Sequence, residues 1–312
     1  MVNKLIIVSA LLVLIGCGES NTPQPVQQPE PEQLSAVEVE PAVELSSAID
    51  TSPVELDAVL ADQPEDVQAR FLYRHPKETL EFFGIKPGMS VVEPLPGRGW
   101  YSKILLGYLG KDGQLIGADY AADMYALFGF MSPQALIAKE TWVTTWTGDA
   151  EGWRNEDSAG VQAFVLGTLP EQMKASADAV VSVRALHNLA RFEDQGQYLS
   201  KAIQNFYDVL KPGGILGIVQ HEARADMPDD WANGSNGYIK KAFLIERLQQ
   251  AGFEFVGETD INNNPKDQPT VEDFVWRLPP TLRGARDNPE LKAQREAIGE
   301  TNRMTLKFRK PE

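Results

Sequence analysis

The sequence predicts an α/β fold, a Rossmann-like doubly wound sheet that is mostly parallel and carries an antiparallel strand pair at its C-terminal edge. Three observations predict it. Short apolar runs of β type alternate with helix-length segments from Ser90 to Ala251. A glycine-containing turn, Pro94 to Ser102, follows the first run and opens a helix. Two late runs, Phe253–Thr259 and Met304–Arg309, lack a helix-length crossover that would pair them in parallel.

Bulk composition agrees. A chain of 312 residues holds one large domain or two small ones, and a hydrophobic fraction of 43% supplies a sizeable core. The net charge of -15 argues against a nucleic-acid surface, because phosphate binding needs clustered Lys and Arg. Cys17 is the one cysteine, so no intrachain disulfide and no cysteine metal site is possible. No pair of the three histidines has the helix or turn spacing of metal ligands. No internal repeat is evident.

The elements follow in order. Thr51-Ser52-Pro53 reads as a helix start, with Val54, Leu56, Val59 and Leu60 on its apolar face. A second helix is predicted from Pro76 to Phe83, ended by Gly84. After the Lys86-Pro87-Gly88 turn, Ser90–Glu93 is a short buried strand. The helix behind the glycine turn buries Ile104, Leu105, Tyr108 and Leu109 and stops at Gly110. Asp112-Gly113 then turns the chain into strand two, Gln114–Ala118, which ends at Asp119 and completes a βαβ unit. Next, Ser132-Pro133 reads as the start of a long helix lined by Leu136, Ile137, Trp142 and Trp146, the tryptophans facing the core. The more apolar run, Val161–Leu166, is read as strand three. The rival is Trp142–Thr147, favoured by β-branched residues. Asp178–Val183 is strand four, Gln195–Leu210 a helix, Lys211–Gly214 a tight turn, Ile215–Gln220 strand five, and Phe243–Ala251 a helix closed by Gly252.

In such a sheet ligands bind beyond the carboxyl ends of the strands. The informative residues are therefore Glu93, the Gly97/Gly99 turn, Asp119, Gly167-Thr168, Arg184 to Asn188, and His221. Gly97 and Gly99 let a ligand approach the main chain. Asp119, about twenty residues on, is placed for both hydroxyls of a ribose. His187 and His221 follow strands four and five and are candidate general bases on a substrate hydroxyl or amine, or else hydrogen-bonded strand-end residues. His75 lies on an N-terminal helix that can cap the pocket. Trp100 and Tyr101 open the helix after the turn, as packing residues or cofactor contacts.

The string Val91-Val92-Glu93-Pro94-Leu95-Pro96-Gly97-Arg98-Gly99 resembles motif I of class I S-adenosylmethionine-dependent methyltransferases. Lys211-Pro212-Gly213-Gly214-Ile215-Leu216 and the late strand pair resemble later parts of that family. His75-Pro76, Glu78-Thr79-Leu80, Phe83-Gly84, Gly99-Trp100-Tyr101 and Arg184…His187-Asn188 resemble a bacterial group of methyltransferases assigned only from sequence. The resemblance implies S-adenosyl-L-methionine as cofactor. Glu93 would stand near its amino-acid part, Gly97 and Gly99 along its backbone, Asp119 at its ribose and Gly167-Thr168 near its adenine. His187 or His221 would take a proton, and Asn188 or Arg184 would orient a small-molecule acceptor. Leu95 departs from the motif, standing where its first glycine usually falls.

The N-terminus carries a separate resemblance. Lys4 precedes an apolar run, Leu5–Ile15, too short to span a bilayer, and Leu14-Ile15-Gly16-Cys17 resembles a bacterial lipoprotein signal. By that resemblance residues 1–16 are a signal peptide and Cys17 is lipidated. Gly18 then favours the outer membrane, with the protein facing the periplasm. Residues 17–50, rich in Pro and Glu and without Lys or Arg, read as a disordered acidic tether, and residues 51–312 as the domain. An exported domain has no obvious supply of a cofactor made inside the cell. A non-catalytic periplasmic ligand-binding module that keeps the fold is therefore the alternative, and a nicotinamide oxidoreductase a third.

Overall fold

The computed structural model describes residues 54–312; the segments expected as signal peptide (1–16) and tether (17–50), with Cys17, and the expected helix start at Thr51-Ser52-Pro53 lie outside the described residues. In chain order the first four helices are α1 (Leu56–Ala61), α2 (Glu65–Gln68), α3 (Phe71–Arg74) and α4 (Pro76–Phe83). The βα alternation follows: β1 (Ser90–Pro94), α5 (Trp100–Leu109), β2 (Gln114–Asp119), α6 (Ala122–Leu127), α7 (Pro133–Glu140), α8 (Trp142–Glu151) and β3 (Gly160–Val165). Next come β4 (Ala177–Val183), α9 (Leu186–Arg191), α10 (Glu193–Gly196), α11 (Tyr198–Val209), β5 (Leu210–Ala223) and β6 (Ile239–Lys240). The chain closes with α12 (Lys241–Gln250), β7 (Glu254–Thr259), α13 (Pro289–Ile298) and β8 (Arg303–Arg309).

The sheet runs β3-β2-β1-β4-β5-β8-β7, with β6 beside the end of β5. Strands β1 to β5 are parallel, whereas β8 is antiparallel to both β5 and β7. This is the doubly wound α/β arrangement with an antiparallel C-terminal edge. Strand order reverses between β1 and β4, so the loops leaving those strands diverge and open a crevice.

Both faces of the sheet are covered, which is why its strands read as continuous apolar runs rather than alternating ones. Val91, Leu115, Ala179 and Val181 point to the face packed by α1, α4, α5 and α8. Val92, Ile116, Val180, Leu216 and Ile218 point to the other, where α11 buries Leu199, Ala202, Ile203, Phe206 and Val209 along one side.

Four expectations need correction. The long helix expected from Ser132 through Trp146 is two, α7 and α8, broken at Thr141; none of the α7 residues is fully buried, and Lys139 near its end is drawn to Asp119 and Tyr125. Trp142 and Trp146 do stack, 5.6 Å apart, with Trp146 in the core, and the rival strand at Trp142–Thr147 is helix. Strand three is Gly160–Val165, one residue earlier than its apolar run. Lys211–Gly214 is an irregularity inside the long β5 rather than a separate turn. The partners of Ala177 and Ala179 there are Leu210 and Ile215, and Gly213 takes φ 74 to absorb the extra residues. Gln195 falls in α10, and α11 begins only after Gln197, whose left-handed φ of 56 separates the two helices.

Two strand glycines let large side chains lie flat on the sheet. A Cβ on Gly117 would fall 2.5 Å from the Trp146 ring, and one on Gly217 would fall 2.4 Å from Phe83. Phe83 is the last residue of α4 and fully buried, so it has nowhere to retreat. Gly217→Ala is expected to destabilise the domain by roughly 1–3 kcal/mol through overpacking. The check is thermal denaturation, where a fall of roughly 2–10 °C is expected for a domain of this size.

Candidate functional site

The crevice begins at the turn after β1. Leu95, at the motif's missing glycine, adopts φ 54, the left-handed conformation a glycine would take, and its N–H donates to the Ala118 carbonyl at 2.7 Å. Gly97 and Gly99 also have positive φ, 59 and 79. They differ in role. A Cβ on Gly97 would meet nothing closer than the Leu95 carbonyl at 3.9 Å, so its main chain is open. A Cβ on Gly99 would strike the Trp153 ring at 2.5 Å, so this glycine serves packing.

Glu93 is buried and does not line the crevice. Ser102 Oγ donates to its Oε2 at 2.5 Å, tying β1 to α5 behind the turn. Burial raises its carboxyl to about 7, opposed only in part by the Ser102 hydrogen bond. Tyr101 is likewise a packing residue, its hydroxyl donating to the Arg74 carbonyl at 3.3 Å. Trp100 does reach the crevice, with the Arg74 guanidinium 4.3 Å from its ring centre.

Asp119 ends β2 almost fully buried, and both its oxygens are engaged. Tyr125 Oη donates to Oδ1 at 2.6 Å and Lys139 Nζ to Oδ2 at 2.8 Å. Next to it lies a cavity of about 960 Å³ walled by Leu95, Tyr120, Tyr125, Phe128, Phe130 and Trp276, among others. Gly167 and Thr168 are outside it: they line a separate depression of about 190 Å³ with Tyr198 and Lys201. His75, at the α3–α4 junction, lines another cavity, with Asn262–Asn264 and Glu300.

A cavity of about 400 Å³ adjoins the aromatic one, sharing Leu95, Asn188, Trp276 and Thr281 with it. It brings together Arg184, His187, Asn188 and His221, four of the residues singled out in the sequence, with Arg70, Arg74, Arg98, Glu300 and Thr301. The rings of His187 and His221 are 5.5 Å apart. Gln220 fixes His187: its Oε1 accepts from the Leu186 N–H at 3.2 Å, so its amide NH2 is the group 3.3 Å from His187 Nδ1. That nitrogen is then an acceptor, and the His187 proton sits on Nε2. His221 Nδ1 lies 2.6 Å from Thr301 Oγ1. Burial first and the Arg184 charge second bring His187 down to about 3. Burial, then His187 and the arginines, hold His221 well below the ordinary histidine range. Both rings are neutral at pH 7. The Asn188 amide NH2 lies 3.4 Å from Tyr120 Oη, while its buried Oδ1 has no hydrogen-bond partner.

Arg70, Arg74 and Glu300 escaped the sequence reading. The one available signal was the four-residue spacing of Arg70 and Arg74, the first basic residues after Lys4, which sets both on one side of a helix. Lys139 was missed with the misread helix. Among the described residues no group of three or more His, Cys, Asp or Glu is arranged to hold a metal ion, and no helix is long and apolar enough to cross a membrane.

No family model and no curated relative matches the sequence. Solved structures do match. The cyclase SpnF shares 19% identity over 76% of this chain and 80% of its own, with a TM-score of 0.47. Geranyl diphosphate C-methyltransferase from Streptomyces coelicolor A3(2), in complex with Mg2+, geranyl diphosphate and S-adenosyl-L-homocysteine, shares 14% over 83% and 89%, TM-score 0.47. A SAM-dependent methyltransferase from Aquifex aeolicus shares 17% over 67% and 93%, TM-score 0.42. Two of these three neighbours are methyltransferases and one is a cyclase; at this distance the likeness is one of fold and does not fix the reaction.

Glu93 generates a pH prediction. Its folded value lies above the ordinary carboxylate value of 4.5, so its contribution to stability is full below 4.5 and is lost as pH rises to about 7. Glu93→Gln should therefore stabilise the domain at pH 8, by up to about 3 kcal/mol, and the gain should vanish near pH 4. Paired denaturation curves across that range test it; a gain independent of pH would contradict it.

Proposed function

We propose that the chain is an S-adenosyl-L-methionine-dependent methyltransferase acting on a small molecule. One observation carries the reading. An aromatic cavity beside Asp119 and an arginine- and histidine-lined cavity meet at Leu95 and Asn188, above the carboxyl ends of β1 and β4, where strand order reverses.

The residues fit such a cofactor. Asp119 offers two carboxylate oxygens to ribose hydroxyls in place of Tyr125 and Lys139. Tyr120, Tyr125 and Phe128 offer flat apolar surface to a base. Gly97 exposes main chain, and the orphaned Asn188 Oδ1 needs a donor at the junction. When bound, the cofactor supplies a methyl group activated on a sulfonium.

The protein's own work is to position the acceptor and move one proton. His221 is the candidate base: in the tautomer that donates Nδ1–H to Thr301 Oγ1, its Nε2 carries a free lone pair. His187, protonated on Nε2 by the Gln220 contact, is a hydrogen-bond donor to the acceptor. Asn188 and Arg184 orient it. The existing pairing of Asp119 supports a second reading, a binding module in which Lys139 keeps the carboxylate covered; small molecules identified in the purified protein separate the two.

Calorimetry on the full chain is the direct test. S-adenosyl-L-methionine should bind, and Asp119→Asn should weaken it about 10- to 100-fold, the worth of a charged hydrogen bond. No heat at high protein concentration sinks the reading.

We extend the proposal, on sequence alone, to an exported lipoprotein anchored through Cys17. Expressed in a two-membrane bacterium, the chain should incorporate labelled palmitate, and Cys17→Ala should abolish the label; an unlabelled wild type would refute the anchor.

A further inference from the structure

The smaller cavity has an unusual charge balance for a protein of net charge -15. Four arginines line it, Arg70, Arg74, Arg98 and Arg184, against one carboxylate, Glu300. That carboxylate is already committed. Arg70 Nε donates to Glu300 Oε1 at 2.9 Å, Arg74 Nε lies 3.5 Å from the same oxygen, and Arg303 Nη1 lies 3.3 Å from the other.

Of the other two, Arg98 is exposed, and Arg184 is left over in the interior. Among the described residues it makes no ion pair, and its buried Nε has no hydrogen-bond partner. Its backbone holds φ 57, a left-handed conformation that costs a non-glycine residue energy and persists only where the surroundings impose it. The strand end thus presents a guanidinium, unpaired, to a cavity that also holds His187, His221 and Thr301. An arginine kept unpaired in such a place is costly to the empty fold and is balanced once an anion enters. The guanidinium fork matches carboxylate and phosphate oxygens in shape as well as charge.

We propose that this cavity binds an anionic group, a carboxylate or a phosphate, carried by the molecule that receives the methyl group. The word acceptor rests on the methyltransferase reading; the anion site does not. The cavity lies over β4 and β5 and the approach to β8, across Leu95 and Asn188 from Asp119 and the aromatic wall. An acceptor held there by its anion lies in one cavity with the ring of His221 and can extend to the junction at Leu95 and Asn188. An anion beside the arginines also offsets the charges that weaken both histidines as bases.

The experiment titrates inorganic phosphate and, separately, succinate into the full-length chain, by calorimetry and by melting temperature, against chloride at equal ionic strength. At least one anion should bind and raise the melting temperature beyond the chloride control. Arg184→Gln should weaken that binding roughly tenfold or more, while raising the melting temperature of the anion-free protein, because it deletes a buried guanidinium that makes no ion pair. A purely structural Arg184 gives the opposite, a lower melting temperature with anion binding intact, and overturns the proposal. Arg74→Gln should also weaken the anion, and Arg309→Gln, in an exposed pair with Glu254, should not.

Repeating the titration with saturating S-adenosyl-L-homocysteine separates two sources of the anion. Undiminished binding supports an acceptor group. Competition means that the arginines hold the cofactor's own carboxylate, and overturns the acceptor assignment. Arg184-dependent anion binding without any S-adenosyl-L-homocysteine binding refutes the methyltransferase reading and leaves the anion site standing. S-adenosyl-L-homocysteine binding without phosphate or succinate binding refutes the anion site alone.

Discussion

The Glu300 carboxylate stands among the guanidinium groups of Arg70, Arg74, Arg184 and Arg303 and is the one carboxylate lining the arginine cavity, and the crevice takes its form from that imbalance. Burial alone would favour its neutral form, but the four arginines outweigh burial and keep its proton affinity below the ordinary carboxylate range. The same contacts join distant stretches of chain. Arg70 precedes α3 and Arg74 ends it, whereas Arg303 opens β8 and also donates to the Tyr73 carbonyl. One ion cluster therefore fastens the N-terminal helices onto the far side of the sheet and roofs the end of β4. Buried clusters of this kind add little net stability. What they specify here is geometry: which guanidinium is satisfied, and which is left to face the cavity.

The turn after β1 shows a second constraint. A strand that must reverse into a helix above a ligand site needs left-handed backbone, and three residues of this turn provide it. Two are glycines. At Leu95 a side chain accepts the strained conformation and stands in both cavities, so the boundary between them is set by an isobutyl group where the usual motif has none. The departure that makes the sequence motif imperfect is thus a wall of the site.

The sheet was legible because buried parallel strands and their helices write strong local signals: Val91-Val92, Leu115-Ile116 and Ala179–Val181 serve both faces at once, and Gly84 ends α4 where its positive φ of 80 requires glycine. The candidate site was legible in part. Strand-end residues Arg184, His187, Asn188 and His221 converge because topology alone brings strand ends together. Glu93, Tyr101 and Gly99 carry motif positions but serve packing, a distinction that depends on which way a side chain turns. Gly167 and Thr168 leave the shared crevice because the loop after β3 is drawn aside, the Gly167 N–H donating to Asn205 on α11 at 2.6 Å. Glu300 and Arg74 were illegible for another reason. They are more than two hundred residues apart in sequence, and no local pattern encodes a contact of that range.

The long connection between β7 and β8, residues 260–302, supplies Val275, Trp276, Leu278, Thr281, Glu300 and Thr301 to the arginine cavity. The segment before β1 supplies Arg70 and Arg74. Neither belongs to the alternating core that builds the sheet and places Asp119. The small cavity therefore joins two kinds of chain: Arg184, His187 and His221, placed by the ends of β4 and β5, and the residues of these two outlying segments, of which Trp276 and Thr281 wall the aromatic cavity as well. In such a layout, a substitution in either outlying segment alters a wall of the cavity without touching the strands that carry its unpaired arginine and its histidines.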